Sequence, residues 1–119
     1  MKPIMQKNMH KPEDGIIGDC YRACICSLLE IDDVDIPNFV EDKNYPLNVV
    51  EFLRTKGFRM GNSIEEPKDM EYYMVFGMSP RGFRHSVIYS KGKLVHDPNP
   101  EGGGVIPDLY VWLYPRECD

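Results

Sequence analysis

The sequence predicts an α+β fold built as one domain, and three observations carry that prediction. The chain has 119 residues, enough for one core and little more. Helical periodicity is confined to the first half, while aromatic and β-branched strand patterns fill the second. Helices followed by strands indicate α+β, not alternating βαβ units. Hydrophobic residues make up 42% of the chain against a net charge of −5. That balance suits a folded chain that buries roughly two-thirds of its unfolded surface.

The elements follow in order. Residues 1–18 contain Pro3, Pro12, Gly15 and Gly18 with no sustained period, so they read as an extended arm with one short strand over 3–8. From Asp19 the pattern changes: Tyr21, Cys24, Ile25, Leu28 and Leu29 form the stripe of a buried helix. Asp19 is positioned as its N-cap, where a carboxylate accepts from the orphan amides of the first turn. The acidic segment 31–39 breaks this helix and returns Ile36 and Phe39 to the core. A second helix is expected from 44–46, with Pro46 in its first turn, Leu47, Val50 and Leu53 facing inward, and an end at Gly57. Residues 61–69 read as a polar loop. Strands are predicted over 72–78, 83–90, 93–97 and 109–114.

Composition excludes several function classes. The longest apolar runs span only a few residues, so no membrane partner is expected. The chain shows no apolar signal region and reads as cytoplasmic, where thiols stay reduced. Its Lys and Arg are scattered in an acidic chain, whereas nucleic-acid binding calls for a clustered basic face. Cys20, Cys24 and Cys26 do not match the paired spacing of structural zinc sites. No metal and no cofactor are expected, and a disulfide framework is unnecessary for a chain with its own core.

The chemistry concentrates in two places. Cys20 begins the first helix, where free amides and the helix dipole favour a thiolate; its bland alternative is a small packed residue. Cys24 and Cys26, deeper in the helix, read as core. Residues 83–89 alternate and place Phe83, His85, Val87 and Tyr89 on one face. A three-residue Ser90-Lys91-Gly92 turn then pairs Tyr89 with Lys93, and His85 with Asp97. Asp97 in that register orients the imidazole of a general base. A two-residue Lys91-Gly92 turn instead brings His96 to the face of His85. It is disfavoured because lysine sits poorly at positive φ. His96 and Asn99 remain rivals for the third position. The structural alternative is a half-exposed strand histidine and a strand that simply ends at Asp97-Pro98.

Gly18-Asp19-Cys20-Tyr21 with Cys24, followed by His85-Ser86-Val87-Ile88-Tyr89 and Lys93-Leu94-Val95-His96-Asp97, resembles the papain-like cysteine hydrolase superfamily. The hairpin looks like the NlpC/P60 group, and Asp19-Cys20 is similar to bacteriocin-processing C39 peptidases. The wider layout, with Gln6 and the segment 34–39, is similar to small papain-like proteins of phages and bacteria. The resemblance implies a central N-terminal helix packed on a small antiparallel sheet. It also implies Cys20 as nucleophile, His85 as base and acid, and Asp97 as orienter. Relatives supply an oxyanion donor from an upstream glutamine, and Gln6 is the only glutamine in the chain; the backbone amide of Cys20 is the other donor. The activity implied is amide hydrolysis, of a peptide or isopeptide bond, on a peptide or protein substrate in a phage–host setting. The glycine-rich run 101–105 is expected to be a mobile flap beside the site. The competing reading is a non-catalytic interaction protein that keeps the fold, because fold does not fix function.

Overall fold

The computed structural model describes residues 1–32 and 35–116. Val34, the first residue of the 34–39 segment, and Cys118 lie outside them. Among the described residues are two α-helices, α1 (Cys20–Leu29) and α2 (Tyr45–Thr55), and five strands. The strands are β1 (Phe58–Ser63), β2 (Tyr73–Met78), β3 (Arg84–Ser90), β4 (Lys93–His96) and β5 (Ile106–Pro115). They form one sheet in the order β1-β5-β2-β3-β4, with every neighbouring pair antiparallel. The class is α+β, as the order of sequence patterns indicates. No helix of the described residues is long and apolar enough to cross a membrane.

Helix α1 is buried almost all round: Ala23, Cys24, Ile25 and Cys26 are fully inaccessible. It ends where Glu30 turns left-handed at φ 60° and its amide returns to the Cys26 and Ser27 carbonyls. Ile25, Cys24 and their neighbours share a core with Met74, Ile88, Val111 and Leu113 of the sheet, and each fully buried aliphatic side chain there contributes roughly 1.5–3 kcal/mol. The opposite face of the sheet carries a second cluster of Tyr73, Val75 and Val87.

Helix α2 forms as expected, with Pro46 in its first turn, but presents a different face. Leu47 and Val50 are exposed, while Val49 and Leu53 are buried. Together with Phe52, which packs on Phe39 at 5.3 Å between ring centroids, they form the i, i+3, i+4 stripe that a packed helix needs. The 3–8 segment is not a strand. Part of the predicted polar loop is instead the edge strand β1, paired with β5 so that Gly61 lies opposite Trp112. A Cβ on Gly61 would stand 2.5 Å from the indole nitrogen, so that glycine serves close packing and not a turn.

The hairpin between β3 and β4 departs from the expected register. Ser90 pairs with Lys93 and Tyr89 with Leu94, so the connection is the two-residue Lys91-Gly92 turn. Both residues take positive φ, 52° and 77°, the primed geometry that follows strand twist. Left alone, that turn would place His96 on the side of His85. A bulge intervenes: Ile88 pairs with His96, leaving Val95 without a partner. One extra residue reverses the alternation again. Asp97 therefore returns to the side of His85, by a route the sequence argument did not follow.

Candidate active site

Cys20 is the first residue of α1 and half-buried. Its own amide is one of the helix's unsatisfied N–H groups. Asp19 occupies the N-cap position but makes no side-chain capping bond, contrary to the sequence expectation. Its carboxylate is turned away from the helix and accepts the backbone N–H groups of Lys7, at 2.9 and 3.2 Å, and Asn8, at 2.9 Å. Two N–H donors of the arm, one of them shared between both oxygens, outweigh the single bond that a cap supplies.

His85 is the second residue of β3 and lies opposite Gly77, at a level where β4 has already ended. The flank of β3 there is free for the segment after His96. Asp97 fills it: its Oδ1 is 2.7 Å from His85 Nε2. The same oxygen accepts the Asn99 amide at 2.9 Å, and Oδ2 accepts the Gly104 amide at 3.0 Å. Both side chains are more than nine-tenths buried. With Nε2 committed to Asp97, Nδ1 is the ring nitrogen left to meet the thiol.

Electrostatics follow from these contacts. Burial would push the Cys20 thiol up, but hydrogen bonds from His85 and Ser86 and the charge of His85 bring it below its ordinary 9.0. Burial would likewise lower the His85 imidazole, but bonding to Asp97 and Cys20 raises it to about 9. Burial opposes ionisation of Asp97 as well, yet His85 and the Asn99 and Gly104 amides hold it below the usual carboxylate range. The contacts therefore favour a thiolate beside an imidazolium. Cys24 is held well above the ordinary thiol by complete burial and by the neighbouring Cys20 charge; burial raises Cys26 too. Both are core residues, as expected.

The rivals for the third position are otherwise engaged. His96 Nε2 donates to the Ile4 carbonyl at 2.8 Å. Asn99 accepts the Glu101 amide through Oδ1 at 2.9 Å and supports Asp97 through its backbone. Gln6 lines the same cleft as Cys20 and His85. One of its amide hydrogens goes to the Asn8 carbonyl at 2.8 Å, and its Oε1 is buried without a partner. The glycine-rich run is tied down, not loose: Gly102 and Gly104 donate to Asn99 and Asp97, and Arg81 donates to the Gly102 carbonyl at 2.8 Å.

The cleft measures about 860 Å³. On one side Tyr21 meets Phe76 edge-on at 5.6 Å and Tyr45 at 6.3 Å. On the other, His10 meets Phe83 at 4.8 Å. Sequence reasoning passed over Ser86 and gave Asp19 the wrong partners. Ser86 is fully buried, its hydroxyl has no partner at regular hydrogen-bond geometry, and it still lies close enough to Cys20 and Cys24 to favour their anions. Its signal was available, since it alternates with His85 and must face the helix. Asp19 gave no such signal, because its partners are backbone amides. Among the described residues, no group of three or more metal-binding side chains assembles. Comparison with family models, curated proteins and solved structures returns no match.

Proposed function

We propose that the protein is a cysteine hydrolase that cleaves an amide bond, peptide or isopeptide, in a papain-like arrangement. The observation that carries this reading is His85, bonded to Asp97 at 2.7 Å and set beside a cysteine that opens a buried helix and faces an open cleft. The Cys20 thiolate attacks the substrate carbonyl, forming an S–C bond and shifting the carbonyl electron pair to oxygen. The Cys20 amide and the second N–H of the Gln6 carboxamide receive that oxyanion. His85 then gives its proton to the departing nitrogen as the C–N bond breaks. Next it removes a proton from water, whose oxygen attacks the thioester; the S–C bond breaks, releasing the acid and returning the electron pair to the Cys20 thiolate beside the protonated His85. Asp97 keeps Nε2 protonated and the ring aligned. The substrate class is a peptide or protein, and a thiol of this kind works in the reducing cytoplasm.

Iodoacetamide labelling against pH tests the reading. Because His85 lowers the thiol, labelling of Cys20 rises at pH values below the ordinary 9.0, whereas amide cleavage falls again as pH passes about 9 and His85 loses its proton. His85→Ala removes the hydrogen bond and the charge, so its labelling curve moves up and the neutral-pH rate drops about tenfold or more. Labelling that begins only near 9.0 in both proteins marks a non-catalytic interaction module instead.

A further inference from the structure

The carboxylate of Asp19 is only 2% exposed at the residue level and has no role in the hydrolytic steps above. Its partners are nevertheless specific. It binds both consecutive amides of Lys7 and Asn8, and its own amide reaches the Asn8 carbonyl at 3.4 Å. That carbonyl also receives the Gln6 side-chain amide at 2.8 Å. The Gln6 backbone amide is held at 3.0 Å by the carbonyl of Pro98, the residue after Asp97. Arg22, one turn along α1, places its guanidinium 4.0 Å from the Asp19 carboxylate and donates to the Ile36 carbonyl at 2.7 Å. Segment 6–8 is thus strung between the residue before the nucleophile and the residue after the orienter. A buried carboxylate accepting several N–H groups fixes their positions with charge-assisted strength.

We propose that Asp19 is a positioning residue: by holding the Lys7 and Asn8 amides, it sets the Gln6 carboxamide at the oxyanion position beside Cys20. The proposal rests on the hydrolase reading and assigns Asp19 to the acylation step, not to the thiolate. A distinction follows. Alkylation by iodoacetamide needs a thiolate but develops no oxyanion. Acylation by 4-nitrophenyl acetate forms an S–C bond, breaks the ester C–O bond and expels 4-nitrophenolate through an oxyanion.

Both rates are measured at one pH on the full chain, with Cys20→Ser as the blank. Asp19→Asn is expected to slow acylation by about tenfold to a hundredfold while alkylation stays within about twofold. Gln6→Ala should show at least the same acylation loss, and the double variant should be no slower than Gln6→Ala alone, because both changes act through one group. Asp19→Glu keeps the charge beside Arg22 but lengthens the side chain, and should show the same split between the two rates. It decides the matter if Asp19→Asn does not fold. Equal losses in both reactions, no loss in either, or additive losses in the double variant overturn the positioning role and leave the hydrolase standing. Wild-type protein that releases no nitrophenolate above the blank overturns both.

Discussion

Burial by itself would leave the His85 imidazole neutral, and it is the pairing with Cys20 and Asp97 that keeps it charged up to about 9. Cys20 moves the opposite way, below 9.0, although burial opposes it. The two shifts have opposite consequences for folding. Between the ordinary histidine value of 6.5 and about 9, the folded chain holds a His85 proton that the unfolded chain has released, so this term loses stability as pH rises. Below 9.0 the folded chain gives up its Cys20 proton before the unfolded chain does, so this term gains stability as pH rises toward 9.0. The two terms oppose each other, so wild-type stability should change less with pH than the His85 term alone would make it. Cys20→Ser removes only the second term, while Asp97 still holds the imidazole. Its stability should fall by on the order of 1 kcal/mol as pH rises above 6.5. Urea midpoints at three pH values give the answer, and a level profile for the variant would show that the imidazole proton is not retained in the fold.

At the scale of elements, the β3–β4 hairpin decides which side chain reaches His85. Lys91 adopts a left-handed conformation, at a cost of roughly 1–2 kcal/mol, and the turn it makes would by itself present His96. The unpaired Val95 corrects this. It is 46% exposed, so deleting it removes little core contact, and because His96 already faces Ile88 the deletion leaves every later residue in its present register. Removal of Val95 should therefore straighten the hairpin while Asp97 keeps its place on the His85 side and its bond at 2.7 Å, so that His85 still titrates at about 9 by NMR. A titration well below that value would mean that the bulge itself, and not the register it sets, holds Asp97 against the ring. This hairpin also marks what a sequence discloses. The alternation of His85, Val87 and Tyr89 is local and legible, as is the helix opened by Cys20. Turn strain was correctly identified at Lys91 but wrongly judged decisive, because pairing along the strands overrides a local cost of that size. The edge strand β1 was hidden because Arg59, Gly61 and Asn62 break its pattern, and Gly61 answers to Trp112, more than fifty residues away along the chain. The inward face of α2 was missed for a related reason: its register is set by Phe39 against Phe52, a contact that neither segment reveals alone.

Over the whole molecule, the arm that looked like featureless leading chain joins the layers. Lys2 donates to the Ser27 carbonyl at 3.0 Å, Gln6 reaches the Pro98 carbonyl, and the Ile4 carbonyl receives His96. The arm therefore touches both ends of α1 and the far strand of the sheet. Ser27 is the inner anchor: its buried hydroxyl accepts the Ile4 amide at 2.9 Å and donates to the Ala23 carbonyl at 2.7 Å. Replacing it with alanine leaves the Ile4 amide without that acceptor in a buried place, at a cost of roughly 1–3 kcal/mol. If the arm is integral to the core, the loss spreads over the whole chain. Trp112, the single tryptophan, lies on the sheet face away from α1, while Cys24 reports from within the helix layer. In Ser27→Ala, Trp112 fluorescence and Cys24 labelling should shift to the same lower urea midpoint, as two-state unfolding requires. A Cys24 that becomes reactive while the tryptophan transition stays in place would reveal a helix layer and arm that open separately from the sheet. In that case Cys20 and His85 would belong to different cooperative units, and their alignment would be won only when the two close together.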